Sequence, residues 1–229
     1  MKRMVIIMIL ALGMVVIGCM LYSGKAQAGE GCGTWEGIPT ITLQLPGEAG
    51  KTVDQRRTCT VGIGDLEKYH SGGGIGPGVA LGYRACQIAL AHLYPGEMPL
   101  RGDQFVVSGS ERDCPADAAT YITGARYGKG AEKAFNGNLV FDESLGAFNF
   151  IFASMSNGKV VKLTSKFKFP KEFIELKEKS KTGPEAKEKS FKLSDSLVRQ
   201  VLTAPAKEVF TVTTMKDFSW KEYKDKYLK

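Results

Sequence analysis

Histidine is nearly missing from this 229-residue chain, which holds only His70 and His92. His92 falls near the end of an apolar run and reads as a packed side chain, so no Ser-His-Asp arrangement can be assembled. None of the five cysteines is spaced as CxxC or CxxCH, which argues against a thioredoxin-type centre and a c-type haem. Gly73 and Gly78 have the spacing of a phosphate-cradling loop, but Val79-Ala80 stands where Lys-Ser/Thr is needed. That loop therefore lacks both the cation and the magnesium-binding hydroxyl of a nucleotide site. Gly76, Gly78 and Gly82 miss the dinucleotide-binding spacing by one residue, and no internal repeat is evident.

Glycine is scarce in the last third, where Gly183 is the single copy after Gly158. The same third holds the surplus of positive charge. Residues 159–229 carry 18 Lys and Arg against 10 Asp and Glu, a net +8, whereas residues 29–158 carry −4 and the whole chain +7. A compositional boundary thus falls near 159–170. Within residues 171–190 acids alternate with bases and no aromatic platform accompanies them, so this stretch reads as a solvated helix and linker broken at Gly183-Pro184. A nucleic-acid surface is not expected there.

The other end of the chain has the opposite character. Lys2 and Arg3 precede a run from Met4 to Leu21 without a charge, the pattern of an export signal over residues 1–28. Ala26-Gln27-Ala28 has the small-x-small form of a signal-peptidase site, and the polar spacer from Tyr22 to Gln27 favours cleavage after Ala28. Val16-Ile17-Gly18-Cys19 is the alternative, a lipobox that would leave a lipid on Cys19. A retained membrane span is the third reading, since the apolar run is about the minimum spanning length. The expected location is exported and periplasmic, with a lipid anchor at Cys19 as the alternative. In such a compartment a disulfide is the simplest reading of Cys32 and Cys59, while Cys86 reads as a small core residue.

Periodicity predicts an extended arm through Ile38, Ile41, Leu43 and Leu45, then a short helical turn at Asp65–Tyr69. The strongest element is VALGYRACQIALAHL at residues 79–93, an apolar helix stopped by Tyr94-Pro95-Gly96. A strand over 103–108, a helix over Cys114–Thr123 and a meander of strands over 138–141, 147–154 and 159–166 follow, with Asn157-Gly158 as a hairpin turn. A short capped helix over 194–202, a closing strand over 208–213 and a basic aromatic tail over 216–228 complete the chain. The fold class expected is α+β, an α-β-α-β-β-β core with helices on one face of a mixed sheet, plus an N-terminal arm and a basic C-terminal extension. The divisions are residues 1–28 for the signal, 29–64 for the arm, 65–169 for the α+β domain and 170–229 for the extension.

The candidate site is the loop HSGGGIGPG, from His70 to Gly78, where a flexible backbone runs into the start of the apolar helix. Gly74, Gly76 and Gly78 would present backbone to a small anion or carbonyl compound, with Lys129 of Gly128-Lys129-Gly130 assisting. Cys114 opens the second helix, where the positive end of the helix dipole favours a reactive thiolate. Asp117 stands one turn later, as a ligand or as a first-turn carboxylate, and Asp113 shares its helical face.

Three blocks resemble a known family: PGVALGYRACQIAL from Pro77 to Leu90, SERDCPADAATYITGARYGKG from Ser110 to Gly130, and GNLVFDESLGAFNFIF from Gly137 to Phe152. In their order and spacing they are similar to the FmdE-like proteins of formylmethanofuran dehydrogenase operons. The resemblance implies the same α-β-α-β-β-β domain and a zinc-type site between the loop and the second helix. Its metal donors in this sequence would be His70, Cys114 and Asp117. The family's loop cysteine is replaced here by Gly76, its preceding histidine by Gly74, and the cysteine after Thr-Gly by Ala125. Zinc takes three or four Cys, His or carboxylate ligands, so a loop re-purposed for another ligand is expected rather than an intact metal centre.

The function expected is that of an exported metal- or small-ligand-binding domain of this family with an altered metal loop. Alternatives are an accessory protein that docks on an acidic partner through its basic extension, and a thiol-dependent enzyme using Cys114. Nothing in the sequence selects an enzyme. The partners expected are a small ligand or metal ion, an acidic protein or a second copy of the chain. Nucleic acid is not among them, and a membrane would be met only through the signal or a lipid.

Overall fold

The computed structural model describes residues 35–47, 57–70, 74–110, 114–128, 136–181 and 183–227. The signal segment with Cys19, and also Cys32, Asp113 and Lys129, lie outside the described residues. Trp35–Lys229 form one compact unit.

Two short strands build the arm: β1 (Ile41–Gln44) and β2 (Thr58–Val61) pair antiparallel. Cys59 in β2 is a free thiol. That holds among the described residues, and the disulfide expected between it and Cys32 falls outside them. After α1 (Asp65–Tyr69) comes α2 (Pro77–Leu93), whose Pro77 occupies the first helical turn, where a missing N–H costs nothing. Because α2 is apolar on nearly every face, it can only be stable in the interior, and Val79, Leu81, Tyr83, Cys86 and Leu93 are fully buried. The Tyr83 hydroxyl lies 2.8 Å from the Pro39 carbonyl and 3.1 Å from that of Val61, which pins the arm to this helix.

The main sheet comprises β3 (Gln104–Ser108), β4 (Leu139–Phe141), β5 (Phe150–Ser154), β6 (Val160–Ser165) and β7 (Phe210–Thr214). Its spatial order is β4-β3-β5-β6-β7, with β3 and β4 parallel and the other pairs antiparallel. The expected α+β class with a mixed sheet is what the chain adopts. The expected meander is corrected, because β4 lies beside β3 and not beside β5. The cause is α3 (Cys114–Thr123) between β3 and β4, which supplies the long crossover that parallel neighbours require. The β5–β6 hairpin turns at Asn157-Gly158 as expected, with Gly158 at φ +72°.

Period-two alternation sends Val106, Phe150, Phe152, Val161 and Leu163 to the side packed by α2, α3 and the C-terminal half of α5 (Pro184–Thr203). The residues between them, Phe105, Val107, Ile151, Ala153 and Val160, face the other way. They are covered by α7 (Trp220–Tyr227), so the stretch read as a tail is a helix. Trp220 sets its ring 6.2 Å from that of Phe105.

Between β6 and β7 run α4 (Lys171–Lys179), α5 and the single turn α6 (Ala206–Val209). Gly183-Pro184 separates α4 from α5 as expected. The helix expected over 194–202 is only the end of α5, whose exposed first half is also helical. Glu185–Lys189 and Glu188–Lys192 pairs at 2.8 and 2.7 Å line that half, an acid four residues ahead of a base. The change in composition near 159–170 does not coincide with a break in the sheet, because β6 and β7 on either side of it are neighbours. Among the described residues no helix is long and apolar enough to cross a membrane.

Candidate functional site

Three helix ends meet beside the glycine loop. The first is the end of α1, where His70 serves as C-cap with its N–H bonded to the Leu66 carbonyl at 2.8 Å. Tyr69, just before it, lays its ring 5.2 Å from Tyr121 of α3 and so ties α1 to that helix. The second is the start of α2 at Gly76. Among the described residues no side chain caps this end. The third is the start of α3 at Cys114.

Close helix packing brings the last two together. A Cβ placed on Gly78 would come 3.3 Å from Cys114 Cβ, and one on Gly82 would come 2.5 Å from the Pro115 carbonyl oxygen. Gly78 and Gly82 are one turn apart on α2, so they open a groove on one face into which the Cys114-Pro115 start of α3 fits. With α3 held there, Asp117 reaches α1. Its Oδ2 lies 2.9 Å from His70 Nδ1, the imidazole side chain 14 % exposed and the carboxylate 48 %.

An ionised carboxylate can only accept, so Nδ1 carries the proton in this bond. In the neutral ring that leaves Nε2 as the nitrogen with a lone pair for a ligand. On the loop side, Gly74 has φ +128°, a backbone that favours glycine, and among the described residues no atom beyond the chain neighbours lies within 4 Å of where a Cβ on Gly74 or Gly76 would stand. These two positions are open, whereas Gly78 faces α3.

The sequence-predicted residues thus fall into groups. His70 and Asp117 are bonded, Cys114 lies against Gly78, and Gly74 and Gly76 form the open side, while Lys129 is outside the described residues. Cys86, on the buried side of α2, is a free thiol that burial pushes well above the ordinary range. Sequence reasoning missed the packing role of Gly82. Its signal was the four-residue spacing from Gly78 on an apolar helix, which marks a close helix crossing as readily as a loop motif.

Donor chemistry sets the fit for a zinc ion. Among the described residues no group of three or more His, Cys, Asp and Glu side chains is gathered closely enough to hold a metal. The His70, Asp117 and Cys114 set does not fit a closed structural zinc site.

The fold defines an α+β domain built on a β-α-β crossover, with a His–Asp pair beside two converging helix starts. Its family follows from comparison with known families. The model described as FmdE, Molybdenum formylmethanofuran dehydrogenase operon, matches residues 71–211, and the chain belongs to the FmdE family. The match begins one residue after His70 and ends within β7, so α7 lies beyond it. No curated protein matches the chain.

Proposed function

We propose that this chain is an exported, non-catalytic member of the FmdE family that binds a small anionic or carbonyl-bearing ligand between His70 and the start of α2. The observation that carries this reading is the helix start at Gly76, with no side-chain cap among the described residues, beside the His70–Asp117 bond, which holds a mostly buried imidazole whose Nε2 can accept from an O–H that the ligand carries. Positive helix ends favour anions, and the open backbone at Gly74 and Gly76 leaves room for one. Membership of a family described by a formylmethanofuran dehydrogenase operon supports an accessory role beside such an enzyme. Export rests on the charge-free run behind Lys2 and Arg3.

The test uses inorganic phosphate and acetate as probes, titrated into untagged protein and followed by the His70 ring resonances. Saturable shifts that vanish in His70→Gln are expected, together with a zinc content near zero by elemental analysis. Two results defeat the proposal: resonances that ignore both probes, or stoichiometric zinc that is lost in Cys114→Ala. The second would replace the anion with a metal ion.

A further inference from the structure

The candidate site lies at one rim of the main sheet. A Cβ on Gly78 would come 3.3 Å from Cys114 Cβ, and one on Gly82 would come 2.9 Å from Ala118 Cβ. The two helices α2 and α3 therefore run in the same direction with their starts side by side. Helix α3 leaves the carboxyl end of β3, and its last carbonyl, that of Thr123, accepts from the Gly102 N–H at 2.7 Å at the other end of that strand. Helix α2 is aligned likewise, since the Leu93 carbonyl at its end accepts from Asn157 Nδ2 at 3.0 Å in the β5–β6 turn. Both positive helix ends thus point out over the rim where β5 begins and β6 ends.

That rim carries a cluster of phenylalanines on the same side of the sheet. Phe148 precedes β5, Phe167 and Phe169 follow β6, and all three are half-buried against the core that α2 and α3 share. The Phe169 ring lies 5.3 Å from those of Phe148 and Phe167 and stacks 5.6 Å from that of buried Phe173. Arg84 Nη2 reaches the Ala204 carbonyl at 2.8 Å, just ahead of α6, and the Lys166 N–H reaches the Val209 carbonyl at the end of α6 at 2.8 Å. The middle of α2 is thereby level with the end of β6. Gly76 stands eight residues before Arg84, so α2 starts about 12 Å farther out, past the strand ends on the side where the rings lie. Phe148 has φ +61°, alone among the described non-glycine residues in that left-handed region, which bulky side chains rarely enter. Exposed Lys166, Lys168 and Lys171 flank Phe167 and Phe169 with no acid between them.

We propose that the ligand of this site is an anion with a hydrocarbon body, of the class of an acyl or aryl carboxylate. The inference rests on the anion reading above and adds the body to it. The carboxylate sits at the paired starts of α2 and α3, and the chain or ring lies over Phe148 and Phe169. Aromatic rings in mutual contact beside two positive helix ends suit a molecule charged at one end and apolar at the other. An inorganic anion would leave the rings wet, and a neutral hydrocarbon would leave the helix ends unmatched.

Acetate, hexanoate, phenylacetate and neutral hexanol are titrated into the untagged protein and followed by the ring resonances of His70 and the phenylalanines. Burying a methylene is worth about fourfold in affinity, so hexanoate and phenylacetate are expected to bind about tenfold or more tightly than acetate. Hexanol is expected to bind far more weakly than hexanoate. Phe148→Gly suits φ +61° and removes the ring, and it is expected to abolish the advantage of hexanoate over acetate. Should that variant fail to fold, Overhauser contacts from hexanoate to the Phe148 and Phe169 rings of the wild type decide in its place. Acetate bound as tightly as hexanoate overturns this inference and leaves the anion reading standing. If no carboxylate binds, the inference falls, and the phosphate titration then decides whether the anion reading falls with it. Hexanol bound as tightly as hexanoate, an advantage that survives in folded Phe148→Gly, or missing ring contacts overturn it as well.

Discussion

His70 Nδ1 and Asp117 Oδ2 lie 2.9 Å apart although 47 residues separate them in the chain. One imidazole at the end of α1 is thus held by a carboxylate in the first turn of α3. Asp117 is half exposed, so solvent screens the pair and its removal is expected to cost no more than about 1 kcal/mol of stability. What Asp117→Ala takes away is orientation. In the wild type at neutral pH, nitrogen NMR of His70 is expected to show the proton on Nδ1. In the variant the proton redistributes toward Nε2 and phosphate binding falls. A wild-type ring protonated on Nε2 alone would sink this assignment.

The meeting of those two residues depends on glycine at 82. An alanine there would drive its Cβ to 2.5 Å from the Pro115 oxygen and 2.7 Å from Pro115 Cα, both backbone atoms that cannot rotate away. Overpacking against such an obstacle costs about 1–3 kcal/mol, and α3 must move to relieve it. Gly82→Ala is expected to lower the urea midpoint and, in the folded remainder, to break the Nδ1 signature of His70. Gly76→Ala meets open space and should leave the urea midpoint nearly unchanged. Equal losses in the two variants would contradict the packing described.

Much of this arrangement was legible in the sequence, and the limits of legibility have physical causes. The helix Cys114–Thr123 was read at its observed bounds, because a proline in the first turn and small apolar residues spaced for a helix speak for themselves. The strands β3, β5 and β6 were legible from β-branched and aromatic runs between turn residues. The parallel placement of β4 was not, because pairing is decided by where α3 carries the chain and a three-residue strand holds no record of its neighbour. Likewise β2 is short and polar at alternate positions, and α7 is short and highly charged with its aromatic side chains at Trp220, Tyr223 and Tyr227, and the order of both comes from what they touch. The pairing of His70 with Asp117 was not legible either. Both residues stood out in the sequence, but whether they face each other is set by the glycine groove on α2, which lies in neither segment.

Chemical labelling separates the cysteines by burial. Cys86 is fully buried and its thiol is held well above the ordinary range by desolvation, so almost none is thiolate at neutral pH. Iodoacetamide is expected to leave Cys86 unmodified in the folded protein and to label it once urea has unfolded the chain, as read by peptide mass spectrometry. Native labelling of Cys86 at the rate of half-buried Cys59 would show that α2 opens far more readily than its packing allows.

The C-terminal helix gives the fold a dependence on acid. Burial alone would raise the carboxyl of Asp142, but hydrogen bonds from the Ser144, Tyr223 and Tyr227 side chains and from the Ser144 N–H outweigh it and hold the group at about 2. The Tyr223 hydroxyl donates to Oδ2 of Asp142, and Lys224 from the same helix reaches the Asn136 carbonyl and Asn138 Oδ1 at 2.7 and 2.9 Å. Lowering a carboxylate in the folded state means that the unfolded chain takes up its proton first. The stabilisation is therefore present in full above pH 4 and is lost as pH falls from about 4 towards 2. Its size is about 2.5 kcal/mol at most, from the difference between an ordinary aspartate and this one. Asp142→Asn is expected to flatten the fall of the urea midpoint in that window and to lower it above pH 4. Because Tyr223 is the tie between α7 and β4, Tyr223→Phe should flatten the same slope. A wild-type midpoint that is level between pH 5 and pH 2 would mean that Asp142 carries no such stabilisation, and a slope unchanged in Asp142→Asn would mean that another carboxylate governs the acid response.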